Sequence, residues 1–116
     1  MNAAEIKIQA ECFQWLWDNY PTLRRCFFHV PNGGKRSKIE AKQLQASGLV
    51  PGIPDMILLF DNRPYPMEFK TLTGTLDPEQ VRVHQAFKNQ GVTTYTVRSI
   101  EQFKALIHAI TTGTIR

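Results

Sequence analysis

Cysteine is scarce in this chain, with only Cys12 and Cys26 among 116 residues. Two thiols at no metal-binding spacing exclude a disulfide framework and a zinc site, and both read as buried core residues. No apolar run approaches membrane-spanning length. The N-terminus also lacks the charged, apolar and small-residue succession of a secretory signal, so a cytosolic protein is expected. There is no Walker pattern and no dinucleotide fingerprint. Gly33-Gly34-Lys35 has the spacing of neither, which argues against nucleoside triphosphate chemistry. The histidines, His29, His84 and His108, are not clustered as metal ligands, and each reads as structural or superficial. No serine, cysteine or threonine stands in a nucleophile setting, which leaves activated water as the expected nucleophile.

What is present fits a single domain spanning residues 1–116. The apolar fraction of 42% and charged fraction of 21% are those of a globular protein, and the length suffices for a single core but not two. Net charge is +4. Much of the excess falls where Arg24, Arg25, Lys35, Arg36, Lys38 and Lys42 face only Glu40. Asn32-Gly33-Gly34 immediately precedes the densest part, a composition that lets backbone N–H groups approach a phosphate. Asn32, Gly33, Gly34, Lys35, Arg36 and Lys38 are therefore candidates for nucleic-acid contact, although a turn followed by a solvated helix face uses the same residues.

The element order reads α, β, α, β, β, α, β, α. Ile6, Ala10, Phe13, Trp17 and Tyr20 recur at helical spacing up to Pro21. Residues 25–30 read as a strand, residues 35–47 as a helix ended by Gly48, and residues 92–97 as a β-branched strand. Asp77-Pro78-Glu79-Gln80 combines an N-cap, a proline at the first helical position and a reciprocal capping residue, opening a helix that runs to Gly91. Ser99 caps a last helix whose apolar face is Ile100, Phe103, Leu106, Ile107 and Ile110.

The chemistry is concentrated in Pro54-Asp55 and Glu68-Phe69-Lys70. Asp55 opens the apolar run 56–60, and alternation puts Glu68 and Lys70 on one strand face with Met67, Phe69 and Thr71 on the other. Asp61-Asn62-Arg63-Pro64 is a turn signal, so the two strands should form a hairpin that brings Asp55 to Glu68. Two carboxylates with the Phe69 carbonyl offer hard oxygen ligands suited to Mg²⁺ or Mn²⁺, and Lys70 supplies positive charge. A surface ion pair between Glu68 and Lys70 would leave Asp55 unexplained.

This pattern resembles the PD-(D/E)xK nuclease superfamily, and the flanks resemble its VRR-NUC family. Those flanks are residues 30–34, 44–55, 68–71 and 74–80, in the family's order and covering nearly the whole chain. The resemblance implies a restriction-endonuclease-like α/β core, α-β-β-β-α-β, with a mixed central sheet flanked by helices. It implies Asp55 and Glu68 as metal ligands, Lys70 as catalytic lysine and Gln80 as the polar residue on the following helix. Glu5 is the better match for the helix-one acid and Glu11 the fallback. A capping box gives Gln80 a competing role. The implied activity is Mg²⁺-dependent cleavage of DNA. Stand-alone members of the family suggest a homodimer acting on branched DNA such as four-way junctions, with Trp15, Trp17 and Phe103 as interface candidates. A non-catalytic nucleic-acid-binding module would keep the basic stretch without needing the acid, acid and lysine set. A structural subunit would need neither.

Overall fold

The computed structural model describes residues 1–31 and 37–115. Its helices are α1 (Ala3–Asn19), α2 (Lys38–Ala46), α3 (Pro78–Asn89) and α4 (Ile100–Thr111). Its strands are β1 (Phe27–His29), β2 (Met56–Phe60), β3 (Arg63–Phe69) and β4 (Tyr95–Val97). The strands form one mixed sheet in the order β1-β2-β3-β4, antiparallel except for the parallel β3–β4 pair. The expected α/β architecture, a mixed central sheet flanked by helices, is the one observed.

Side chains that alternate along the strands line up across the sheet. Phe27, Leu58 and Tyr65 form one row, and Met56, Met67 and Tyr95 the next. These rows meet Cys12 and Leu16 of α1 and Phe103, Ile107 and Ile110 of α4 in the core. Burial drives this layer, because apolar surface is removed from water on the sheet face and on both helices at once. The β2–β3 hairpin closes through Asp61 and Asn62, both at positive φ, the conformation a tight two-residue turn requires and asparagine tolerates. Pro64 and Pro66 fall at alternate positions of β3, beyond the stretch that β4 pairs. There a missing N–H costs no ladder hydrogen bond.

Several expectations need correction. Arg25 and Cys26 belong to a 3₁₀-helix, Pro21–Cys26, so the strand begins only at Phe27. Pro21 at its start favours that tight turn. Helix α2 starts at Lys38 with Ser37 as N-cap, accepting from the Glu40 N–H. Strand β4 is confined to Tyr95–Val97, the stretch that β3 can pair. Cys26 is half-buried, whereas Cys12 is fully buried. Burial, with Glu11 nearby, pushes the Cys12 thiol up to about 12, so it stays protonated and unreactive.

The inward face of α1 is Glu5, Cys12 and Leu16, while Ile6 and Trp17 are exposed. Phe103 is a core residue in ring contact with Phe27, Phe69 and Trp15, so it cannot serve as a subunit interface. Among the described residues, no helix is long and apolar enough to cross a membrane.

Candidate active site

Three elements deliver the acid, acid and lysine set to one end of the sheet. Asp55 precedes β2, and its carbonyl accepts from the Val30 N–H, which extends the β1–β2 ladder by one step. Its side chain is almost wholly buried, and Oδ2 accepts from the Phe69 N–H at 2.7 Å. One hydrogen bond thus ties the first carboxylate to the backbone beside the second. Glu68 is fully buried on the sheet face opposite Met67 and Phe69. Lys70 lies just past the end of β3, half-buried, with its N–H donated to the Val97 carbonyl at 3.0 Å.

Glu68 is held from α3. His84 Nε2 lies 3.1 Å from Glu68 Oε1, whereas Oε2 is buried with no hydrogen-bond partner among the described residues. Burial first, then the adjacent Asp55 carboxylate, pushes Glu68 up to about 9, with Lys70 pulling the other way. Burial also lowers His84 below its usual range, so it is neutral at physiological pH. His84 is a residue that sequence reasoning missed. Its signal was helical spacing, because it stands one turn after Gln80 on α3.

A cleft of about 1040 Å³ opens beside this set. Glu5, Gln9, His29, Asp55, Phe69, Lys70 and Gln80 are among the residues lining it. Glu5 is buried on the inward face of α1 and caps its own helix with Asn2, whereas Glu11 is exposed. His29 Nδ1 lies 2.9 Å from the Asp55 carbonyl and 3.2 Å from Gln9 Nε2. Gln80 closes the capping box, its Oε1 accepting from the Asp77 N–H at 2.9 Å. Its amide Nε2 takes no part in that capping box.

The loop before Asp55 is pressed against the start of α3. Gly52 has φ +86°, and a Cβ there would stand 2.5 Å from the Glu79 carbonyl carbon and oxygen. Only glycine satisfies both the backbone angle and the approach. Asn32, Gly33, Gly34, Lys35 and Arg36 lie outside the described residues; Lys38 is exposed in the first turn of α2.

The donor set can be tested against a hard divalent cation. Among the described residues no three His, Cys, Asp or Glu side chains converge on one point, so Glu5 does not complete a cluster with Asp55 and Glu68. Mg²⁺ does not require such a cluster, because it keeps several waters and is held by one or two carboxylates plus substrate phosphate. Two adjacent buried carboxylates, one with an orphaned oxygen, fit that demand.

A scan of the sequence against family models finds no match, nor does a search of curated proteins. The fold does have a solved counterpart. A structure described as a VRR_NUC domain protein superposes with a TM-score of 0.77 at 17% identity, covering 95% of this chain and 89% of that one. The chain therefore has the fold of a VRR-NUC domain.

The charge state of Glu68 makes a prediction for the metal-free protein. A carboxyl raised from about 4.5 to about 9 on folding holds a proton that the unfolded chain releases, so stability falls as pH rises through that window. Lowered His84 acts with the opposite sign only below its usual range, and raised Cys12 adds to the fall only as pH nears 9, so the slope from pH 7 to 8 reports Glu68. In EDTA, Tm should fall steadily from pH 7 to 9. Glu68→Gln should flatten that slope and raise Tm at pH 8 by ~5 °C, the size of shift about 1 kcal/mol produces in a small domain. A wild-type Tm independent of pH across this range would contradict it.

Proposed function

We propose that this chain is a metal-dependent endonuclease that hydrolyses phosphodiester bonds in branched DNA, four-way junctions above all, and acts as a homodimer. The observation that carries this reading is the fully buried Glu68 carboxyl set against the buried Asp55 carboxylate with Lys70 beside them. Nothing in a purely structural role rewards placing two acids together out of water.

Asp55 and Glu68 would hold Mg²⁺ or Mn²⁺, with the Phe69 carbonyl and, through water, Glu5. Such an ion, when bound, lowers the pKa of water and offsets charge on the phosphate. Lys70 orients the attacking water from the cleft wall and stabilises the extra negative charge of the pentavalent state. His84 fixes the Glu68 carboxyl, and the Gln80 amide would donate to water or phosphate. The basic stretch around Asn32, Gly33, Gly34, Lys35, Arg36 and Lys38 would hold the backbone, in keeping with a chain that carries little surface for reading bases.

Trp17, 39% exposed on α1, remains an interface candidate, with Phe28 and Leu59 as further exposed apolar residues on the sheet. The decisive experiment incubates the chain with junctions, flaps, splayed arms, linear duplex and single strands, in Mg²⁺ and in EDTA, alongside light scattering. We expect a dimer that nicks junctions in paired cuts and is silent in EDTA. Cleavage that persists in EDTA would refute the mechanism. A monomer preferring flaps or linear duplex would refute the junction reading and leave the nuclease standing.

A further inference from the structure

We infer that Arg98 is a positioning residue that sets the spacing between Lys70 and Glu5, by clamping the loop that runs from one toward the other. This rests on the nuclease reading above. The Arg98 Nη1 donates to the carbonyls of Thr71 at 2.7 Å and Gly74 at 2.6 Å, with a longer approach to Leu72 at 3.4 Å. Three carbonyls of one short loop thus converge on one cationic nitrogen, and charge-assisted contacts of this kind are the strong ones.

The loop matters because of what lies at its ends. At one end is Lys70, which is not part of β3 and is held by a single backbone hydrogen bond to Val97, the residue before Arg98. At the other is Gly74, where a built Cβ would stand 3.6 Å from Glu5 Oε2 and 3.0 Å from the Thr71 hydroxyl. The end of β4 therefore holds the Lys70 backbone through the Val97 carbonyl and the loop that follows it through the Arg98 guanidinium.

Arg98 is itself anchored. Its backbone N–H donates to Gln102 Oε1 at 2.8 Å, and the Gln102 N–H donates in turn to Ser99 Oγ, the N-cap of α4. The capping of α4 is relayed through Arg98 to the catalytic lysine. Arg98 is thus registered to the α4 cap on one side, and on the other it holds the loop whose Gly74 lies against Glu5.

The test compares wild type with Arg98→Ala, Arg98→Lys and Gln102→Ala on the preferred DNA substrate in Mg²⁺, with hydrogen exchange at residues 71–74 measured in parallel. For Arg98→Ala we expect kcat to fall ~30-fold with KM within about twofold, the signature of an interaction used in the transition state rather than in binding. Faster exchange at residues 71–74 should accompany it. Arg98→Lys should recover part of kcat, and Gln102→Ala, which touches no cleft group, should show a smaller loss of the same kind.

An Arg98→Ala protein with unchanged kcat would overturn the inference, as would losses that merely follow the unfolded fraction. A wild type that cleaves nothing refutes the nuclease reading instead, and the exchange data still report whether the clamp exists.

Discussion

Asp55→Asn is expected to abolish Mg²⁺-dependent cleavage, lowering kcat by about 10³-fold or more while the fold survives. The asymmetry follows from what the side chain does. Asparagine keeps a carbonyl oxygen that can accept from the Phe69 N–H, so the hydrogen bond joining the two motif strands is retained. It loses the anionic oxygen that a hard cation requires. Lys70→Ala should leave metal binding intact and cost ~10²–10³-fold in kcat, the usual loss when one charge-stabilising donor is removed. Single-turnover cleavage at pH 8, read beside thermal melts of both variants, checks the pair. If Asp55→Asn cleaves within tenfold of wild type, Asp55 is not a metal ligand. If Lys70→Ala does so, the lysine is only a solvated neighbour of Glu68.

Gly52→Ala should be the most damaging single change away from the carboxylates. Positive φ alone costs a residue with a Cβ about 1–2 kcal/mol. Gly91, at φ +82° with nothing within 4 Å of a built Cβ, carries only that cost. At Gly52 the new methyl would also meet the Glu79 backbone carbonyl at 2.5 Å and the Gln80 nitrogen at 2.8 Å. Backbone cannot swing aside as a long side chain can, so the α3 N-terminus must move. We expect Gly52→Ala to cost about 3 kcal/mol or more and Gly91→Ala about 1 kcal/mol. That should lower Tm by ~12 °C and ~4 °C respectively. Activity of Gly52→Ala should drop further than its unfolded fraction explains, because Asp55 and Gln80 flank the shifted contact. Equal melting temperatures for the two variants would remove the close-approach explanation.

Local chemistry made the element order legible. The Asp77 capping box, the Ser99 cap and the Asp61-Asn62 turn each announce a boundary through a hydrogen bond or a φ value that few residues supply. The meeting of Asp55 with Glu68 was readable for the same reason, since one tight hairpin fixes it.

Properties that depend on tertiary partners were not readable. The stripe through Ile6, Phe13 and Trp17 is displaced by one residue, about 100° of helix, from the buried face of Glu5, Cys12 and Leu16. A buried acid broke the apolar pattern there, and the exposed Ile6 and Trp17 imitated it, while Phe13 packs partly buried against the core. Phe103 was correctly placed on the apolar face of α4, yet as an interface candidate it was wrong, because burial depends on the α1 and β1 rings packed around it. His84 and Arg98 act on groups in other elements; helical spacing puts His84 one turn after Gln80, but it does not name Glu68 as the partner, and nothing along the chain announces the Arg98 contacts.

The mixed sheet also imposes an order in time. Asp55 and the Phe69 N–H are 14 residues apart and joined by a two-residue turn, so closing that loop sacrifices little chain entropy. Arg98 and Thr71 are 27 apart, and they meet only once α3 has formed and β4 has docked in parallel. Parallel pairing across a crossover is intrinsically the slower event. Loop-closure entropy therefore favours closing the Asp55 contact with the Phe69 N–H before β4 and Arg98 fasten the loop that follows Lys70.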